Sequence, residues 1–173
     1  MLISVFVLSL RCISKITQSI IPDLSGTNHK GSMGRVGIVG GSSAYTGAPY
    51  YSGISALKFG ADLAFVLCSS SASIPIKSYS PELMVVPFYD DTNEYLEETY
   101  HSQVAKSSLI LDNYLTRVNS LVIGPGLGRH DLSTKIVENL MIKASERNIP
   151  MVIDADALWI VSNNLSLIFG CTW

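Results

Sequence analysis

"VGIVGGSSAYTGAPYYSGISALKFGADLAFVLC" occupies residues 36–68 and decides the fold. Residues 36–39 read as a buried strand between Gly34 and the Gly40, Gly41 pair. A glycine-rich loop follows over 40–48. Pro49 suits a first helical turn, where its missing N–H would have no partner anyway. The helix is predicted to run to Phe59, with Gly60 as its stop. Gly53, Ala56 and Gly60 place small residues on one helix face, which can then approach a sheet closely. Residues 63–68 form a second apolar strand. Strand, loop, helix and strand in that order make a βαβ unit, and so a parallel sheet with a right-handed crossover.

The same alternation continues outward. Residues 69–77 are predicted as a short helix or turn, and 83–86 as a third, short strand. A largely solvent-facing helix is predicted over 94–115. Residues 120–123 read as a strand followed by "GPGLGRHD" (124–131). Asp131 or Ser133 is the expected cap of the next helix. There Leu132, Ile136, Leu140 and Ala144 recur every four residues, and Val137 and Met141 widen the stripe. Residues 151–153 form the last clear strand, ending in "DADAL" (154–158). The fold class is therefore α/β with a mostly parallel sheet. No internal repeat, low-complexity segment or linker divides it.

Composition narrows the function classes. The 173 residues are 47 % hydrophobic and only 15 % charged, with net charge −2. This suits strands buried on both faces and argues against disorder. No Lys/Arg stripe is present, so no nucleic-acid partner is expected. The three cysteines (Cys12, Cys68, Cys171) and three histidines (His29, His101, His130) are scattered, with neither disulfide nor zinc spacing. The opening "MLISVFVLSL" has the length of a signal-peptide core but is too short for a transmembrane span. Three readings stand for residues 1–21: a secretory signal, a mitochondrial transit peptide, or an ordinary helix with Ile13, Ile16 and Ile20 on one face, ended by Pro22. The compartment expected is cytoplasmic or mitochondrial.

In open parallel sheets, ligands bind beyond the carboxyl ends of the strands. Three segments fall there: 40–48, 124–129 and 154–156. Glycines allow close backbone approach, and a following helix offers unpaired N–H groups to an anion. A dinucleotide fold for hydride transfer is disfavoured. "GIVGGSSAYTG" lacks G-x-G-x-x-G, and the second strand ends in Cys and Ser rather than an acid. Any one of these loops alone is more often a tight structural turn than a ligand loop; three on one sheet edge point to a site.

The stretches "HKGSMGRVGIVGGSSAYTGAPYYSGISALKFGADL", "IKSYSPELMV", "LVIGPGLGR" and "VIDADALW" together resemble the adenine-nucleotide-dependent NAD(P)H-hydrate dehydratases, a branch of the ribokinase-like superfamily. The resemblance covers roughly residues 29–159. It implies a three-layer αβα fold and repair of a hydrated NADH or NADPH. In such repair ATP phosphorylates the added ring hydroxyl with Mg2+ assisting, phosphate leaves, and the ring double bond returns. Hydroxide is a poor leaving group and phosphate a good one, so positioning and charge stabilisation are the enzyme's task. By resemblance Gly40, Gly41, Ser42, Tyr45, Thr46, Gly47 and Ala48 line the substrate cleft. Gly124, Gly126 and Gly128 contact the hydrated dinucleotide, and Arg129 neutralises a phosphate. Glu82 of the "SPE" turn either faces the cleft or is a solvated carboxylate. Asp154 and Asp156 either organise Mg2+ and its waters or orient polar neighbours, and Asp156 is alternatively a helix N-cap.

Family members continue well past Gly170, with a lysine-glycine nucleotide loop and a Gly-x-Gly-Asp turn whose Asp is the expected base. None of these occurs in residues 160–173. The expectation is thus a partial dehydratase domain over 22–173, incomplete at its C-terminus and inactive alone, with no catalytic residue assignable and the ATP site elsewhere. Poor solubility, homo-oligomerisation or association through an uncovered face is also expected. The alternatives are a non-catalytic nucleotide-binding fragment and a related small-molecule kinase.

Overall fold

A computed structural model describes residues 29–91 and 97–169. The three readings of residues 1–21 lie outside them, as do Cys12 and Cys171. In chain order the elements are β1 (Arg35–Val39), α1 (Gly47–Phe59), β2 (Leu63–Ser69), α2 (Ser70–Tyr79), β3 (Met84–Tyr89), α3 (Glu97–Leu115), β4 (Ser120–Ile123), α4 (Asp131–Glu146), β5 (Met151–Ile153) and α5 (Ala155–Asn163). A 3-10 turn, Leu165–Ile168, follows. The sheet order is β3-β2-β1-β4-β5, and every pairing is parallel. The chain steps outward from β1 to β3, then returns to place β4 on the other side of β1. That reversal opens a crevice between the β1 and β4 carboxyl ends.

Strand period two sorts the side chains into two cores. Phe65 and Leu67 of β2 join Leu111 and Leu115 of α3, the α4 stripe, and Ala157 and Ile160 of α5. Ala64, Val66 and Cys68 join Ala72 and Ile76 of α2, Leu83, and Tyr50 and Leu57 of α1. Helices therefore cover both faces, giving three layers. All six stripe residues of α4 are buried, the five larger ones contributing about 2 kcal/mol each and Ala144 less than about 1 kcal/mol. Packing rather than local propensity holds that helix.

Several local expectations are corrected. The cap of α4 is His130, whose Nδ1 accepts the Leu132 N–H at 3.2 Å; Ser133 instead donates its hydroxyl to the His130 carbonyl. The third strand runs to Tyr89, because Pro87 is tolerated on an edge strand. Helix α3 is less solvent-facing than its sequence suggests, with Ser107, Leu111 and Leu115 buried. Gly53 does meet the sheet side, since a Cβ there would lie 2.9 Å from Leu83 Cδ2 and 3.4 Å from Val66 Cγ2. Gly60 has open space around it and acts only as the α1 stop, at φ 122°. Among the described residues no helix is long and apolar enough to cross a membrane.

Candidate functional site

The first loop leaves β1 at Gly40 and folds back on itself. Ser42 and Tyr45 exchange backbone hydrogen bonds of 3.2 and 3.1 Å, making a tight turn with Ser43 and Ala44 at its tip. Its base is tied to the β4 loop. Gly41 N–H is shared between the Pro125 and Gly126 carbonyls at 3.0 and 3.1 Å, and Ser42 Oγ donates to Gly126 O at 3.0 Å. Only glycine permits this approach: a Cβ on Gly40 would sit 2.2 Å from Pro125 O, and one on Gly126 2.8 Å from Tyr45 Cβ. The β4 loop is tied in turn to the start of α5, where a Cβ on Gly124 would fall 1.8 Å from Asp154 O. The three segments over 40–48, 124–129 and 154–156 thus form one packed body at the β1/β4 crevice.

Two charged groups within it are paired with each other. Asp156 Oδ2 accepts the Gly128 N–H at 2.9 Å, and its Oδ1 lies 3.4 Å from Arg129 Nε. The Arg129 guanidinium also stacks 5.1 Å from the Trp159 ring centre. Arg129 is therefore an exposed cation that Asp156 partly compensates through its Nε. Asp156 is inside the first turn of α5 and does not cap it. The N-cap is Asp154, which is exposed and makes no side-chain cap bond. Both Asp156 oxygens are thus engaged by donors of the 124–129 loop. No group of three or more His, Cys, Asp or Glu able to hold a metal occurs among the described residues. The orienting role is one that Asp156 fills.

Helix α1 presents the opposite situation. Its N-cap Thr46 makes no side-chain cap bond, and no acid lies in its first turn. The first-turn N–H groups and the positive helix end are uncompensated by a carboxylate there, which favours an anion or polar oxygen. Thr46 Oγ1 instead meets the Tyr79 hydroxyl at 2.7 Å. Tyr45 and Ala48 are exposed, and a Cβ on Gly47 would meet nothing closer than Tyr51 at 4.0 Å. Glu82 is not brought to this edge. It is exposed just before the amino end of β3, where Met84 pairs with Phe65, and its N–H donates to Ser80 Oγ.

Two residues went unnoticed in the sequence. Tyr79 is one, and Asp91 is the other. Asp91 follows the carboxyl end of β3 and accepts the Ser43 N–H at 2.9 Å, the Ser71 N–H at 3.3 Å and the Ser71 hydroxyl. Burial raises its carboxyl pKa, but the Ser71 and Ser69 hydroxyls and the Ser43 and Ser71 N–H groups outweigh that and hold it below the ordinary value. An acid just past a strand's carboxyl end was the available signal. Nearby, burial pushes the Cys68 thiol up to about 12 and the Tyr89 phenol well above its usual value. Neither is a nucleophile or proton carrier at neutral pH.

Known proteins match this arrangement. The family model described as NAD(P)H-hydrate dehydratase matches residues 36–169. An ATP-dependent (S)-NAD(P)H-hydrate dehydratase of Ciona intestinalis is 48 % identical over 155 residues, 90 % of this chain and 40 % of that protein. The chain spans about two fifths of the length of the curated relatives it matches. Among solved structures, a ribokinase-like superfamily protein of Enterococcus faecalis aligns with TM-score 0.66 and 25 % identity over 84 % of this chain and 45 % of its own. An ADP/ATP-dependent NAD(P)H-hydrate dehydratase of Bacillus subtilis, co-crystallised with ATP and Mg2+, aligns with TM-score 0.53 and 23 % identity over 79 % and 42 %, a likeness of fold. The fold is ribokinase-like, and by the match over 36–169 the chain belongs to the NAD(P)H-hydrate dehydratase family.

Proposed function

We propose that this chain builds the hydrated-dinucleotide side of an ATP-dependent (S)-NAD(P)H-hydrate dehydratase. The observation that carries the reading is the pair of glycine loops, locked by the shared Gly41 N–H, beside an α1 N-terminus that no carboxylate compensates. In this reading the 124–129 loop contacts the hydrated NADH or NADPH. The first-turn N–H groups of α1 at Gly47 and Ala48 face its phosphates, and Tyr45 borders the cleft. ATP is the co-substrate: its γ-phosphoryl passes to the added ring hydroxyl, leaving ADP. Loss of that phosphate with a ring proton restores the double bond. Mg2+ supplies charge neutralisation to the transferred group. No ligand from this chain is assigned to it, and this chain's own contribution is to hold and orient the acceptor.

Titration of the chain with hydrated NADH in a calorimeter tests the reading. Binding of hydrated NADH in preference to NADH is expected. Equal or absent binding of hydrated NADH, with ATP bound at the same loops, would overturn it. With ATP and Mg2+ added, recovery of the dihydronicotinamide absorbance reports the complete reaction.

A further inference from the structure

We propose that Asp91 is the positioning residue of the first glycine loop, fixing its tip to the start of α2 so that Tyr45, Thr46 and Gly47 face the cleft. The loop's base is secured by the 125–126 carbonyls, but those bonds reach only Gly41 and Ser42. The tip is held from outside the two glycine motifs, by the carboxylate that takes the Ser43 N–H. The same carboxylate takes the Ser71 N–H and hydroxyl. Ser71 Oγ lies 3.0 Å from Ser69 Oγ, and Ser69 N–H donates to Gly41 O at 3.2 Å. The bonds close a ring, from Gly41 through Ser69, Ser71 and Asp91 to Ser43 and back along the chain.

Four elements meet in that ring: the β1 loop, the last residue of β2, the first turn of α2 and the segment just past β3. Ser43 is exposed and two residues before Tyr45. Without Asp91 its N–H turns to water, and the turn loses the tie that sets its tilt on the fixed base. On the far side Thr46 is held by Tyr79, and the Ser42–Tyr45 backbone pair closes the turn, so Asp91 is the outer tie of a turn pinned at its two ends. Asp91 donates no proton and touches no reacting atom. It acts through the direction it gives the backbone that follows.

This inference takes its ligand from the function proposed above, while its central measurement does not. Hydrogen exchange at the Ser43 amide is followed in the ligand-free chain for the parent, Asp91→Asn and Asp91→Ala. The asparagine oxygen in the Oδ2 place still accepts the Ser43 N–H and the Ser71 hydroxyl, but without charge, and its amide nitrogen in the Oδ1 place cannot accept the Ser71 N–H. Exchange at Ser43 is expected to quicken in the order parent, Asn, Ala, with Val39 and Ile123 unchanged. Affinity for hydrated NADH is expected to fall roughly tenfold in Asp91→Ala, the loss of one charge-assisted hydrogen bond, and less in Asp91→Asn. Faster Ser43 exchange with no hydrated-NADH binding by the parent would refute the function and leave the positioning role standing. Unchanged Ser43 exchange in either variant would overturn the positioning role. So would parent-like affinity in a folded Asp91→Ala. If Asp91→Ala does not fold, the parent and Asp91→Asn comparison decides.

Discussion

Replacing Gly124 by alanine tests whether the β4 loop and the start of α5 are one packed unit. Gly124 has φ 116°, and the new Cβ would lie 1.8 Å from Asp154 O, 2.7 Å from Ala157 N and 2.8 Å from Ala157 Cβ. The first two are backbone atoms that no rotamer change can move aside. The left-handed conformation alone costs about 1–2 kcal/mol for an L side chain. Forced displacement of a packed neighbour adds roughly 1–3 kcal/mol. The expected loss is about 2–5 kcal/mol, or roughly 5–15 °C in melting temperature for a chain of this size. Gly60 supplies the control. It has φ 122° but nothing within 4 Å of its Cβ position, so Gly60→Ala is expected to show only the conformational part, about 1–2 kcal/mol. Urea unfolding followed by circular dichroism gives both values. Equal losses for the two alanine variants would refute the claim that loop and helix are in steric register.

Four further outcomes are expected. Asp156→Asn keeps one acceptor for Gly128 N–H but loses the charge facing Arg129. A stability loss of about 1–2 kcal/mol is expected by urea titration, since the pair is only partly buried. Gly47→Ala enters open space at the first position of α1; stability should hold or rise by about 0.5 kcal/mol while hydrated-NADH affinity, read by calorimetry, falls. The Met33 and then the Gly31 N–H groups hold the Asp62 carboxyl below its usual value. Its folded pKa is below its unfolded one, so its contribution is present above about pH 3.9 and is lost as pH falls through the folded value. Melting curves of the parent and Asp62→Asn should therefore converge at acid pH. On the β5 side Val152, Leu158, Leu165 and Phe169 are exposed. If they mediate self-association, Val152→Asp should lower the mass seen by light scattering.

What could be read from the sequence was whatever repeats locally. The α4 stripe follows from period alone, and the βαβ unit from an apolar strand on each side of a glycine loop and a helix. The β1/β4 neighbourhood did not follow, because strand order is set by tertiary packing and leaves no mark on either strand. Pro87 hid the end of β3. It reads as a breaker, yet on an edge strand one row of N–H groups needs no partner, and the strand runs on to Tyr89. With the strand ended at Val86, Asp91 stands five residues beyond it rather than two, and so away from the sheet edge. Imidazole is an uncommon capping group, and the His130 Nδ1 serves only through its placement two residues before Leu132 N. Asp156 was recognisable as an acid at a strand end. Its partners lie 27 and 28 residues earlier in the chain, and no local pattern names them.

The glycines of the site divide by what surrounds them. Gly40, Gly124 and Gly126 are accounted for by protein atoms that would collide with a Cβ, so no ligand is needed to explain them. Gly47 faces open space and has no such explanation within the chain. A polar molecule entering the crevice would meet backbone donors and the α1 dipole, while the nearest guanidinium is already partly compensated by Asp156. Backbone donors fixed by loop packing lose little freedom on binding, unlike long charged side chains. The bonds that lock the loops to one another therefore also aim the donors, and loosening either loop should cost affinity before it costs the fold.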